Sequence, residues 1–417
     1  MKSATRDVEV LAPAGSFEAI TAAIQAGADA VYFGIEQLNM RARSTNNFTI
    51  DNLSLIEAQC KVSNVKTCLT LNTILYDHDM QLMRKIISTA KEAGIDAVIA
   101  SDYAAMAYAK LIGLPLHIST QANVSNIETV EFLSSYADVM VLARELSLKQ
   151  VAEIVQEIKR RKITGPSGNL VKIEVFVHGA LCMAVSGKCY LSLHSQYASA
   201  NRGACLQNCR RPYVVTDKEE GIEFEIDNEY IMSAKDLCTI DILDRVLDTG
   251  VSVLKIEGRG RAPDYVYTVT KCYKEAQESI LQGQFNTEKI EAWKKALSTV
   301  YNRGFWEGYY LGRKLGEWAD QPGSVAVEKK ICIGRGNRYY PKIQIGEFVL
   351  ESGTLKIGDT LMVIGRSEGV SKNVVHTLKV NGVEATQATK GDIITLPWAN
   401  KVSKDDKLYK IVETGDA

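Results

Sequence analysis

The sequence predicts an α/β chain, a (β/α)8 TIM-like barrel with a Cys-rich insertion after strand seven, followed by a small antiparallel β-barrel. Three observations predict it. The first 260 residues repeat one loose unit: a helix ending in Gly or another small residue, then Asp or Ser, then a short apolar strand. The unit yields eight strands, with helical patterns between the first seven. After a break at Asp320-Gln321-Pro322-Gly323-Ser324 the hydrophobic period changes to two and turn signals multiply.

The clearest copies of the unit are Gly27-Ala28-Asp29-Ala30-Val31-Tyr32-Phe33-Gly34 and Gly94-Ile95-Asp96-Ala97-Val98-Ile99-Ala100. A Gly that caps a helix and feeds a buried parallel strand explains the order of residue types. The predicted strands are residues 8–12, 30–34, 66–71, 97–100, 116–119, 138–142, 172–177 and 252–256. About 70 residues separate the last two, which places a long insertion (about 180–240) at the C-terminal face, where barrel enzymes keep their sites. Helices are expected over 263–282 and 287–300. The domains are then 1–320 and 325–417, the second similar to domain 2 of elongation-factor-type GTPases.

Polar residues follow nearly every strand and converge on one rim: Asn72, Gln121, Asn123, Arg144, Glu145, His178, Glu257 and Arg259 among them. Asp102 and Ser125 are expected to be helix caps. From this set His178, Arg144, Glu145 and Glu257 are the candidate catalytic residues.

Hydrophobic residues make up 46% and charged residues 24% of the 417, which excludes a disordered or collagen-like chain. No apolar run reaches the roughly 18 residues of a membrane helix, and the N-terminus lacks a signal-peptide core, so a cytoplasmic protein is expected. The formal net charge of −1 excludes a uniformly basic nucleic-acid coat but conceals a local asymmetry. Between Cys182 and Tyr213 stand four basic residues (Lys188, Arg202, Arg210, Arg211) and no acid, while 217–229 carries seven acids and one Lys. A basic patch at a barrel mouth suits an anionic substrate or RNA.

Five of the nine cysteines fall within 57 residues, spaced C-x6-C-x15-C-x3-C with one more after 28: Cys182, Cys189, Cys205, Cys209 and Cys238. Such clustering without an oxidising context reads as metal or redox chemistry. Only Cys205 and Cys209 have the spacing of a zinc knuckle. An iron–sulfur cluster is wider and tolerates looser spacings. Zinc, iron–sulfur and reduced structural cysteines all remain open on spacing alone.

The run Glu174-Val-Phe176-Val-His178-Gly179-Ala180-Leu181-Cys182, continuing through Gly187 and Cys189 to Ser192, resembles the peptidase U32 signature E-x-F-x2-G-[SA]-[LIVM]-C-x4-G-x-C-x-[LIVM]-S. Leu11–Gly15, Gly27–Gly34, Ser119–Asn123, Ala200–Gly203, Lys255–Arg259 and Asn302–Phe305 agree with the same family, over about residues 8–315. The family name implies collagenase-like proteolysis. Its branches also imply a prephenate-dependent tRNA hydroxylase that makes 5-hydroxyuridine at the wobble position, an rRNA cytidine hydroxylase, and quinone-hydroxylation factors carrying [4Fe–4S] clusters. The chain is most similar to the tRNA branch. That resemblance implies a [4Fe–4S] cluster on Cys182, Cys189 and Cys205, with Cys209 or Cys238 as fourth ligand. It implies prephenate, a small dicarboxylate, as cosubstrate, for which Arg41, Arg202 and Arg259 are the candidate partners beside Arg144. A tRNA anticodon loop would approach over Lys188, Arg202, Arg210, Arg211 and the C-terminal β-barrel, with Tyr190, Tyr197 and Tyr213 available for stacking. Against proteolysis, the sequence has no H-E-x-x-H and no G-x-S-x-G. A Cys182–His178 nucleophile pair is the one peptidase arrangement left.

Overall fold

A computed structural model of the chain describes residues 8–42, 48–216, 219, 223–224, 230, 232–312 and 316–415. Eight parallel strands form a closed barrel: β1 (Glu9–Pro13), β2 (Ala30–Phe33), β3 (Lys66–Leu71), β4 (Ala97–Ala100), β5 (Leu116–Ile118), β6 (Val139–Val141), β7 (Lys172–Gly179) and β8 (Val253–Ile256). Each pairs with the next, and β8 pairs with both β7 and β1, which closes the ring. The eight predicted strands correspond to these with ends shifted by at most two residues.

The repeated unit has a physical explanation in the fold. Gly27, Gly94 and Gly250 stand at φ +82°, +81° and +85°, a left-handed conformation that side chains resist and that turns each helix into its strand. The Asp that follows staples strands together. Asp29 accepts from the Val10 N–H at 2.7 Å, and Asp96 from the Thr67 N–H at 2.7 Å. Each carboxylate satisfies a backbone donor at the bottom of the neighbouring strand.

Helices α1 (Phe17–Gln25), α2 (Leu53–Lys61), α3 (Met80–Glu92), α4 (Tyr103–Ile112), α5 (Ile127–Ser134) and α6 (Leu148–Arg161) cover the first six connections. Asp102 caps α4 as expected, by accepting from the Ala104 N–H. The cap of α5 is Asn126, one residue beyond the expected Ser125. After β7 come the short α7 (Leu191–Gln196) and a strand, Asp236–Cys238, which runs antiparallel to the end of β7 and beside Phe305–Trp306. Helices α8 (Leu243–Asp248), α9 (Pro263–Leu281) and α10 (Thr287–Ser298) complete the outer layer. The acidic stretch 217–229 lies almost wholly outside the described residues.

The C-terminal region is antiparallel throughout, with an eight-stranded sheet and a two-stranded ribbon. The strands Glu328–Tyr340, Ile345–Leu350, Thr360–Gly365 and Lys407–Glu413 form its middle. They surround one core that includes Phe348, Leu361, Ile394, Leu408 and Trp398. Side chains complete the curl: Trp398 Nε1 donates to Ser371 Oγ at 3.0 Å and Asn373 Nδ2 to the Pro397 carbonyl at 2.8 Å.

The two domains are latched along α1. The Gln25 amide bonds both ways with Val370, donating to its carbonyl at 2.8 Å and accepting from its N–H at 2.9 Å. Thr21 Oγ1 donates to the Arg366 carbonyl, and the Arg366 guanidinium lies 3.9 Å over the Phe17 ring. Ala22, Met362, Ile364 and Val370 form a small buried cluster between them.

Candidate active site at the barrel mouth

The barrel interior is charged where an ordinary barrel is filled by branched aliphatic side chains. Lys255 on β8 donates to Glu174 on β7 at 2.6 Å, and both are buried. His117 Nδ1 lies 3.6 Å from the other Glu174 oxygen, and Lys255 Nζ sits 4.6 Å from the Tyr32 ring centroid. Burial would raise the Glu174 carboxyl, but Lys255 and His117 outweigh it and draw it down to about 2.

Above this pair the mouth is built from β2, the loop after it, β6 and the end of β8. Tyr32 donates to the Ile256 carbonyl at 2.8 Å and lies 3.3 Å from Glu257 Oε2. Arg41 reaches Glu257 Oε1 at 3.4 Å. Arg259 is buried and donates to Asn39 Oδ1 at 3.0 Å and to Thr70 Oγ1. Gly34 makes its seat: a Cβ there would stand 2.3 Å from the Arg259 guanidinium, so only glycine admits it. Arg144 donates to the Ala180 carbonyl at 3.0 Å and stacks 3.8 Å over Phe176, while its Nε is buried with no partner among the described residues. Burial would raise the Glu257 carboxyl as well, but Arg41, Arg144 and Arg259 hold it below the usual carboxylate range. Interior and mouth together place four cations (Lys255, Arg41, Arg144, Arg259) against two carboxylates (Glu174, Glu257), a surplus suited to an anionic ligand.

The Cys-rich insertion roofs this mouth. Asn201 fixes it by accepting from the Cys189 N–H at 3.2 Å and, through its carbonyl, from the Ile74 N–H at 3.1 Å. Cys182 and Cys205 are exposed, and Cys189 and Cys209 partly so. Cys209 feels the other three: burial pushes its thiol up, Arg210 draws it down, and Cys182, Cys205 and Cys189 push it up again. Arg41 ties the thiols to the mouth. Burial works against its charge, but Glu257, Cys182 and Cys205 more than compensate. Among the described residues no three His, Cys, Asp or Glu side chains converge at single-ion spacing. Thiols with arginines beside them are a soft, charge-compensated donor set that a metal ion or an iron–sulfur cluster would accept.

The other predicted residues have distinct surroundings. Cys238 lies in a strand rather than in the insertion's loops. It is buried in the strand beside β7, its thiol pushed up to about 12 by burial, with Tyr273 Oη 3.9 Å away. His178 does not face the mouth. A register shift beside it, between the Lys255 and Ile256 pairings, turns it outward against α9, where Tyr265, Tyr273 and Phe305 enclose it. Arg202 binds Asp79 at 2.7 Å and stacks 3.9 Å over Tyr76, so it clamps the insertion to the β3–α3 loop rather than waiting for a ligand. Arg210 is likewise engaged, with Ser233 Oγ and the Ala234 and Leu181 carbonyls. Tyr213 donates to the Asn208 carbonyl at 2.7 Å. Glu145 is exposed, as are Lys188 and Arg211, which form no ion pair among the described residues. Tyr190 and Tyr197 are 68% and 96% exposed. Tyr32 and Asn39 are mouth residues that the sequence did not single out. Tyr32 sits in an apolar strand run, and only the alternation of inward and outward positions could have marked it.

Burial and the nearby Arg261 push the His178 imidazole down to about 3. Below pH 6.5 the unfolded chain therefore takes up this proton first, and stability falls as pH drops from 6.5 towards about 3. The slope is at most about 1.4 kcal/mol per pH unit. His178→Phe should remove that slope, measured as the difference between the two proteins' urea midpoints across this window. Parallel curves would place His178 in contact with water.

A closed barrel with a polar, electropositive mouth and a thiol-bearing roof is an enzyme architecture. The chain belongs to peptidase family U32, whose family model matches residues 15–320. It is 53% identical, over 97% of its length and 98% of the relative's, to a protein of Porphyromonas gingivalis named collagenase. It is 30% identical to tRNA hydroxylation protein P1 of Bacillus subtilis, covering 76% of this chain and 75% of that one. It is 33% identical to the 23S rRNA 5-hydroxycytidine C2501 synthase of Escherichia coli over 68% of this chain and 41% of that longer protein.

Proposed function

We propose that the protein is an RNA-modifying hydroxylase acting on a tRNA uridine at the wobble position, with a [4Fe–4S] cluster held by Cys182, Cys189, Cys205 and Cys209. The observation that carries this reading is an insertion bearing two exposed thiols (Cys182, Cys205) and two partly exposed ones (Cys189, Cys209) beside an arginine-lined mouth. The cluster would supply redox or oxygen-transfer chemistry there. Arg144 would bind a carboxylate of a small dicarboxylate such as prephenate, Arg259 would add positive charge to the wall behind it, and Arg41 would orient it between Glu257 and the thiols. Glu257, ionised among three arginines, would hold those arginines in place and accept a proton at its Oε2, the oxygen nearest the Tyr32 hydroxyl. A target base must leave its stack to enter a barrel mouth, and an anticodon loop presents bases in that state. Tyr190 and Tyr197 are exposed enough to stack on neighbouring bases.

Proteolysis is the second reading, favoured by the collagenase-named relative. The structure leaves its simplest mechanism without a base, because His178 is enclosed, neutral and turned away from the exposed Cys182. Mass spectrometry of tRNA nucleosides from a deletion strain tests both. The expected result is loss of 5-hydroxyuridine derivatives, restored by the intact gene. An unchanged nucleoside profile, with gelatin cleavage by the purified protein, would replace the first reading by the second.

A further inference from the structure

The loop that carries Glu257 and Arg259 continues into Gly260 and Arg261, and these two residues leave the mouth and line a second cavity. It is a cleft of about 1000 Å³ between α9 and α10 on one side and the C-terminal domain on the other. Its walls are set by the latch on α1 and by the Lys330–Asp264 ion pair, so the space is present before any ligand arrives. Most cations in it have carboxylate partners: Lys330 has Asp264, and Lys372 binds Glu328 at 3.0 Å. Arg261 differs. Its guanidinium carbon lies 3.6 Å from the Tyr301 ring centroid, it is half-buried, and it forms no ion pair among the described residues. Lys329 is exposed across the cleft and also forms no ion pair among the described residues. Tyr267 is a further aromatic residue of the lining, packed in part against the interdomain cluster.

An arginine stacked on tyrosine, whose guanidinium donates to no partner among the described residues, suits a phosphate, and the aromatic rings beside it suit bases. The volume stands at the upper end of the roughly 300–1000 Å³ that small-ligand sites occupy, enough for a short run of nucleotides. The cleft also begins at the rim that would receive the target base. We propose that this interdomain cleft binds the single-stranded RNA segment flanking the target nucleotide, with Arg261 and Lys329 on its phosphates and Tyr301 and Tyr267 beside its bases. This rests on the RNA reading above and moves the RNA path away from Arg202 and Arg210, whose donors are engaged internally.

The test measures anisotropy of a fluorescein-labelled anticodon stem–loop transcript with the full chain, at several salt concentrations. Wild type should bind. Arg261→Ala and Lys329→Glu should each weaken binding by about tenfold and lower the log–log salt slope by about one. Unchanged melting temperatures would show that the fold is intact, and Lys329→Glu serves if Arg261→Ala proves unstable. Wild type that binds, with both variants binding equally well and with its salt slope, would overturn the cleft while leaving the RNA reading in place. Wild type that binds gelatin but not the transcript would overturn both.

Discussion

Purified without oxygen, the intact protein should contain about four iron atoms per chain, and Cys182→Ser, Cys189→Ser, Cys205→Ser and Cys209→Ser should each lose most of them. Cys238→Ser should retain them. The two outcomes separate the proposed quartet from the alternative that spacing alone leaves open. Cys238 is buried in its strand beside β7, whereas Cys182, Cys189, Cys205 and Cys209 all reach the surface in part. Visible absorption and iron content read the result directly, and complementation of a deletion strain reads its consequence. The four variants should restore no hydroxylated nucleoside. Cys238→Ser should restore it, reduced only as far as its core packing suffers. Iron retained in Cys209→Ser but lost in Cys238→Ser would reverse the assignment.

Lys255→Met should destabilise the protein by about 3–5 kcal/mol, because it leaves Glu174 as an uncompensated buried charge. Among the described residues Glu174 has only His117 as a second charge partner, at 3.6 Å. In the native protein the Glu174 carboxyl is held at about 2, so the stability it contributes is complete above its unfolded pKa of about 4.3 and is lost as pH falls towards 2. With Lys255 gone that dependence should shrink and the carboxyl should take up a proton nearer neutral pH. Glu174→Gln combined with Lys255→Met should recover most of the loss, since a buried pair replaced whole is often close to neutral. Denaturant titration of the three variants checks all of this. A single Lys255→Met within about 1 kcal/mol of wild type would mean that water reaches the barrel interior. The first residue of the U32 signature is thereby given a structural task under the mouth rather than a chemical one in it.

The barrel was legible because its signals are local. A capping Gly and a stapling Asp lie next to each strand in sequence, and each is explained by hydrogen bonds to the adjoining strand. The cysteine cluster was legible by density and by its family signature. What sequence could not supply was the direction of individual side chains. One register shift turns His178 out of the mouth. Arg202 and Arg210 find Asp79 and a set of carbonyls across long sequence separations, so residues that read as a free basic patch are internal braces. Tyr32 and Asn39 escaped notice for the converse reason. Nothing beside them in sequence announces a partner, and Asn39 meets Arg259 from 220 positions away.

The latch between the domains has an unequal character. On the α1 side it uses side chains, Thr21 and Gln25; on the other it uses backbone, the Arg366 carbonyl and both polar groups of Val370. Substitutions in the second domain can therefore leave these hydrogen bonds in place while the strand keeps its register, as long as Met362, Ile364 and Val370 stay apolar against Ala22. Substitutions at positions 21 or 25 remove them. The arrangement lets the C-terminal module diversify its surface for different partners while its placement on the barrel is inherited unchanged.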